Sequence, residues 1–221
     1  MAIFQKPFQN KSEQSDDVGA GGLQWITERH VACVFLLDTS GSMADDNAIG
    51  KLNEGLRVFK SQTVNDSTFD EHTKACIDVA LISFGPTVIL QQDFVPVSSM
   101  NPPVLTAGGG TPMGGALNMA LDIITEQKAR YNELGTPYFR PWIFCITDGK
   151  PNDDYLAATQ RLKQMENEKK VLGYCVGVEK FDRSMMASIF NPERIFELAN
   201  LNFPASVIRC LTSVSITVPN L

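Results

Sequence analysis

Basic charge is in short supply in this chain, and so are histidine and long apolar runs. Nineteen Lys and Arg residues stand against 25 Asp and Glu, for a formal charge of −6 and a pI near 5.0. That balance argues against a nucleic-acid binder or an anionic-membrane binder working through a basic face; it is compatible with cation binding. The two histidines, His30 and His72, lie far apart beside charged residues and form no cluster. The longest early apolar run, Val31–Leu37, has seven residues, against the twenty or so that span a bilayer. The first thirty residues hold no apolar stretch of the secretory kind, so the expectation is a cytoplasmic protein with no membrane segment. Cysteines are five (Cys33, Cys76, Cys145, Cys175 and Cys210), an odd count with wide spacing and no CxxC pair. Several sit inside apolar strand-like runs, which reads as buried reduced thiols rather than disulfides or zinc ligands.

What is present is an ordinary globular composition: 221 residues, 43% hydrophobic and 20% charged. The length allows one large α/β domain or two small ones. Val31–Leu37 has the continuous apolar character of a central strand covered on both faces. Ile49, Leu52, Leu56 and Phe59 then recur at helical spacing, with charged residues outside the stripe. Strands are expected at Ala75–Phe84 and Thr87–Phe94, joined by a Gly85-Pro86 turn and hence antiparallel at a sheet edge. After a loop rich in proline and glycine, Pro112 opens a helix carrying Ala116, Leu117, Ala120, Leu121 and Ile124. Trp142–Thr147 reads as another buried strand. The pattern predicts a helix at about Asp153 to Lys169, acids first and lysines last as its dipole prefers. A strand at Val171–Val178, a short helix near Arg183–Phe190, a weak strand at Ile195–Leu198 and a closing helix at Pro204–Ile216 complete the pattern. Strands alternating with helices indicate a doubly wound, mostly parallel sheet in three layers with one antiparallel edge strand. Residues 1–24 read as a tail or an edge segment, and 25–221 as the domain.

Three polar clusters interrupt these elements. Asp38-Thr39-Ser40-Gly41-Ser42 follows the first central strand, Gly110-Thr111-Pro112 precedes a helix, and Thr147-Asp148-Gly149 ends a later central strand. In open parallel sheets, ligand sites form outside the carboxyl ends of the strands, where helix direction switches. Two acid-bearing loops are therefore expected to face each other across a crevice. Asp-Thr-Ser-Gly-Ser alone could equally be a turn plus a helix cap. Asp45, Asp46, Asp153 and Asp154 read as helix-start acids. The run Gly108–Thr111 is no Walker loop, because no Gly-Lys-Ser/Thr follows.

Asp-x-Ser-x-Ser, a threonine after a glycine run, and a strand-terminal Thr-Asp-Gly, in that order, resemble the von Willebrand factor type A (VWA) domain. The resemblance covers about residues 28 to 216. Within that family LLDTSGSM, ISFG, AGGGTPMGGAL and RPWIFCITDGKPND look most like the bacterial tellurite-resistance TerY group. The resemblance implies the strand order 3-2-1-4-5-6 and a metal-ion-dependent adhesion site (MIDAS). Ser40, Ser42 and Thr111 would bind the metal through their hydroxyls, and Asp38 and Asp148 through water. Such an oxygen-only set suits a hard cation, Mg²⁺ or else Mn²⁺ or Ca²⁺, and is poor for zinc. Neutral direct ligands leave the dication much of its field for one more ligand, a carboxylate from a partner protein. The leading expectation is thus a non-enzymatic, metal-dependent interaction module, its partner in a bacterial tellurite, metal or phage stress response. The alternative is a Mg²⁺-dependent phosphatase or phosphotransferase with Asp38 as nucleophile. Ser40 argues against it, standing where a dehalogenase-type enzyme carries a second aspartate as general acid. A third possibility is a scaffold whose metal site is vestigial or structural. Around the predicted crevice Asp38, Asp45, Asp46, Asp148, Asp153 and Asp154 face only Lys150, a local −5 against −6 for the whole chain.

Overall fold

The structure, a computed structural model, describes residues 29–67, 70–178 and 181–197. The segment 1–24, the closing helix expected at Pro204–Ile216 and Cys210 lie outside the described residues.

Six strands form one sheet: β1 (Val31–Asp38), β2 (Ile77–Phe84), β3 (Val88–Pro96), β4 (Trp142–Thr147), β5 (Leu172–Gly177) and β6 (Ile195–Glu197). Their order is β3-β2-β1-β4-β5-β6, as the family resemblance implies. Only β3, at one edge, runs antiparallel to its neighbour; the other pairs are parallel. The helices are α1 (Ala48–Asn65), α2 (Glu71–Ala75), α3 (Met113–Glu133), α4 (Leu156–Asn167) and α5 (Arg183–Ile189).

All eight residues of β1 are buried, because successive side chains of a strand leave on opposite faces and both faces are covered. Val31, Cys33, Phe35 and Leu37 join Leu52, Leu56 and Phe59 of α1 in one core. Val34 and Leu36 join Ala116, Leu117 and Ala120 of α3 and Ala158 and Leu162 of α4 in the other. Phe35 meets Phe59 edge-on at a centroid distance of 5.1 Å; truncating Phe59 to alanine costs about 3–5 kcal/mol. The three-layer architecture follows from this division of one apolar run between two helical layers. It also sets a switch point, since α1 after β1 and α4 after β4 cover opposite faces of neighbouring strands. Cys33, Cys76, Cys145 and Cys175 are buried, as expected, and no two of them form a disulfide; burial pushes the Cys175 thiol up to about 12.

Several boundaries differ from expectation, most by one residue. The second strand starts at Ile77, not Ala75, because the Asp70 side chain accepts the Thr73 N–H at 2.7 Å and caps the short helix α2. The third strand runs on to Pro96. The helix expected from Asp153 begins only at Leu156, with no acid in its first turn and no base in its last. The expected match of charge to helix dipole is absent there.

Candidate metal centre

β1 delivers Asp38 to the middle of the carboxyl edge. Its neighbour Leu37 is in register with Ile146 of β4, so Asp38 and Thr147 end their strands side by side. Asp38 is fully buried. One carboxylate oxygen accepts the Ser40 N–H at 2.8 Å, and the other accepts the Thr147 hydroxyl at 2.5 Å. Both donors are neutral. Burial dominates and pushes the Asp38 carboxyl up to about 6, although the bonds from Ser40 and Thr147 pull the other way; the charge of Asp148 adds to the rise.

From this floor a chain of oxygens runs outward. Ser40 Oγ lies 3.1 Å from Ser42 Oγ, and the Ser42 hydroxyl donates to Asp148 Oδ1 at 2.8 Å. Neighbouring ligands of an octahedral Mg²⁺ with bonds near 2.1 Å lie about 3.0 Å apart, a spacing that the two serine hydroxyls match. Asp148 is half-buried, and burial raises its carboxyl pKa against the lowering bond from Ser42.

Thr111 arrives from the loop between β3 and α3. The Gly108 N–H donates to Thr39 O at 2.8 Å, and the Gly41 N–H to Gly109 O at 3.1 Å, which lays that loop along the one after β1. Gly109 has φ +74 and is packed against Pro86, a position that only glycine fills without strain. Gly149 shows where the oxygens converge. A Cβ at that residue would lie 3.4 Å from Thr111 Oγ1, 3.6 Å from Asp38 Oδ2 and 3.6 Å from Ser42 Oγ. Asp38, Ser40, Ser42, Thr111 and Asp148 are thus gathered in one cluster, and the missing side chain of Gly149 leaves its centre clear. The Thr-Asp-Gly motif contained this glycine, but sequence alone assigned it no role.

The loop after β4 supplies two further residues: Asn152, to which sequence alone assigned no role, and Asp153, which it placed at the start of the next helix. Asn152 bonds Thr111 twice: its N–H donates to Thr111 O at 3.1 Å, and its Oδ1 accepts the Thr111 N–H at 2.8 Å. Asp153 accepts the N–H groups of Gly114 at 3.0 Å and Gly115 at 2.8 Å. It therefore caps α3, across the crevice, and not α4, the helix that follows it. Asp45 and Asp46 also miss the expected role. They lie in a kinked 3₁₀ segment, Gly41–Asn47, where Asp46 has φ 47, and the first turn of α1 holds no acid. Lys150 pairs with Asp182 at 3.0 Å. The local acidity is consequently less concentrated than the sequence suggested, since Asp153 faces backbone amides.

The donors fit a hard divalent cation: three neutral hydroxyls, two carboxylates and a space in front of Gly149. No group of three or more His, Cys, Asp or Glu that could hold a metal exists among the described residues. Asp38, Ser40 and Thr111 are buried whereas Ser42 is exposed, so the cluster opens to solvent on the Ser42 and Asp148 side. A cavity of about 480 Å³ between α3 and α4, lined by Lys128, Asn132, Arg161 and Lys170 among others, shares no residue with it. No helix among the described residues is long and apolar enough to cross a membrane.

A sequence profile of the von Willebrand factor type A domain matches residues 33–207. None of the curated proteins compared with the chain matches it. Among solved structures, the pilus adhesin SpaC of Lactobacillus rhamnosus GG aligns with a TM-score of 0.65 at 15% identity, over 85% of this chain and 31% of that one. The chain thus spans about a third of that adhesin's length. The vWF domain of the type V pili tip protein Mfa5 of Porphyromonas gingivalis aligns with a TM-score of 0.62 at 13% identity, over 87% and 97% of the two chains. Proximal thread matrix protein 1 of the mussel byssus, in a structure whose MIDAS motif is occupied by zinc, gives 0.55 at 15% identity, over 85% and 46%. At such identities these likenesses concern the fold.

Proposed function

The chain belongs to the von Willebrand factor type A domain family, and on that premise we propose that Asp38, Ser40, Ser42, Thr111 and Asp148 form a metal-ion-dependent adhesion site that joins the chain to a protein partner. The observation that carries this reading is the fully buried Asp38, whose two oxygens meet only neutral donors. Taking a carboxylate out of water without a counter-charge is unfavourable, and a cation in front of Gly149 would supply one. The three hydroxyls would hold the ion directly, with the two carboxylates behind bridging waters. Bound there, the cation supplies a Lewis-acidic point that takes an Asp or Glu from the partner on the open side. Mg²⁺ or Mn²⁺ suits the oxygen donors best; the zinc in the mussel protein's MIDAS motif makes Zn²⁺ a cation to include in any titration.

The same geometry disfavours Asp38 as a nucleophile. It is fully buried, both its oxygens are engaged, and the residue two places on is Ser40, where a dehalogenase-type enzyme carries its acid. The proposal is therefore a binding module and not a phosphoryl-transfer enzyme. The motif likeness to the TerY group supports a bacterial stress-response partner, and the absence of disulfides between the four described cysteines supports a reducing, cytoplasmic setting. Calorimetric titration of Mn²⁺ into wild type and Asp38→Ala tests the metal. Heat from wild type alone is expected, and equal heats from both remove the site. Capture of partners from native bacterial lysate with and without chelator tests the contact, and a partner indifferent to chelator and to Thr111→Ala would refute it. Mg²⁺-dependent turnover of a phosphate ester that is lost in Asp38→Asn would replace the binding reading with the enzymatic one.

A further inference from the structure

The stretch from Leu105 to Pro112 has no regular secondary structure and includes three consecutive glycines. Left to itself such a segment samples many conformations, and Thr111 near its end would not stay at one point. Two grips from the loop after β4 hold it. Asn152 closes a ring on the Thr111 main chain, giving one hydrogen bond and taking another. Asp153 takes the Gly114 and Gly115 N–H groups with its two oxygens. These are donors that the first turn of a helix leaves without intrahelical partners, and the carboxylate sits at the positive end of α3. The grips fall on both sides of Pro112, so the chain is fixed before and after the turn that aims Thr111. The gripping loop is also the one that carries Asp148 and Gly149. Gly114 lets the two segments meet closely, since a Cβ there would lie 2.7 Å from Asp154 O and from Tyr155 Cα.

We infer that Asn152 and Asp153 are positioning residues for the metal site: they fix Thr111 at the cluster before any cation binds, and so set the affinity for it. The inference rests on the metal reading above. Neither side chain packs into the apolar cores: Asn152 is exposed and Asp153 half-buried. Their removal should therefore act on Thr111 more than on the fold. Partners behind the direct ligands of a metal typically change its affinity about 10–100-fold when removed.

The test is calorimetric titration of Mn²⁺ into the full chain as wild type, Asn152→Leu, Asn152→Asp and Asp153→Ala, with hydrogen exchange of the metal-free proteins followed at single amides. Asn152→Leu keeps much of the volume and loses the acceptor, whereas Asn152→Asp keeps an acceptor for the Thr111 N–H. Mn²⁺ affinity should fall about 10–100-fold in Asn152→Leu and Asp153→Ala and recover in Asn152→Asp. Without metal, Thr111 N–H should be protected in wild type and exposed in Asn152→Leu, and the Gly114 and Gly115 amides should follow Asp153. Wild-type affinity in Asn152→Leu, or fast Thr111 exchange in metal-free wild type, would overturn the inference and leave the metal reading standing. Absence of binding by wild type would overturn both. Should Asn152→Leu not fold, Asp153→Ala carries the same comparison.

Discussion

Two buried aspartates sit at opposite ends of the central strands, and their surroundings differ in kind. Asp78, at the start of β2, accepts from His30 Nδ1 at 2.7 Å and from the Tyr131 hydroxyl at the same oxygen. The hydrogen bond to Asp78 leads in raising the His30 imidazole to about 10, with Cys76 next, so that it is cationic at neutral pH. Burial and the neighbouring Asp78 charge raise the Tyr131 phenol far above its ordinary value and keep it a neutral donor. Asp38, at the end of β1, has two hydrogen bonds as well, but both come from neutral groups. The nearest basic residue in its motif, Lys150, is committed to Asp182. One end of the sheet is thus neutralised from within, and at the other the two hydrogen bonds to the carboxylate come from neutral groups alone. The second arrangement is the one that the proposed metal site requires.

The sharpest way to break the contrast is to remove the charge at each end. Asp78→Ala leaves a protonated histidine without its counter-ion and should cost about 3 kcal/mol in urea unfolding. Asp38→Asn in chelator removes a buried charge that has no cationic partner and should cost nothing at neutral pH, with a gain expected. Equal losses at the two positions would mean that Asp38 is already neutralised by the chain. The counterpart is metal addition. Free Mg²⁺ or Mn²⁺ at 100 times its Kd should stabilise wild type by about 2.7 kcal/mol. The Asp78→Ala variant should be stabilised by the same amount, whereas Asp38→Asn gains nothing. A metal response that follows Asp78 would place the cation at the wrong end of the molecule.

A smaller and more local effect is expected at Gly149. The methyl of Gly149→Ala falls 3.4 Å from Thr111 Oγ1 and 3.6 Å from both Asp38 Oδ2 and Ser42 Oγ. It should weaken Mn²⁺ binding about tenfold, some 1.4 kcal/mol, with metal-free stability nearly unchanged. Unaltered affinity in calorimetry would mean that the oxygens do not converge in front of this residue.

The contrast also marks how much the sequence could show. β1, α1 and β4 were legible because each carries its own period, continuous apolar for a doubly covered strand and three-four spacing for the helix. Asp38, Ser40, Ser42, Thr111 and Asp148 were legible as a set because short motifs in fixed order end predicted strands or begin predicted helices. The grip of Asn152 on Thr111 was not legible, since it joins two loops whose approach depends on the sheet order and leaves no period in either. Asp153 was assigned to the helix that follows it because local spacing favours the nearer terminus; the fold brings the start of α3 closer. The pairing of His30 with Asp78 escaped notice for the same reason. Each is unremarkable in its own segment, and they meet only because β1 and β2 lie side by side, with Ala32 in register with Asp78.

The weakest expected effect, and the most discriminating in sign, is the pH dependence of the two ends. The folded-state value of His30 is raised from 6.5 to about 10, so its contribution is fully present below about 6.5 and is lost as pH rises through about 10. Asp38 in the metal-free protein is raised from 3.8 to about 6. The folded state then holds its proton more tightly, and the contribution is present below about 3.8 and lost as pH rises through about 6. In chelator, wild type should therefore lose a few degrees of thermal midpoint relative to Asp38→Asn between those two values, at about 2–4 °C per kcal/mol for a domain of this size. With saturating Mg²⁺ the sign reverses, because the ion binds the ionised carboxylate and its stabilisation grows as pH rises. Parallel thermal curves for wild type and Asp38→Asn across that window, with and without the ion, would show that Asp38 titrates as it would in water. The asymmetry between the two ends of the sheet would then be one of shape and not of charge.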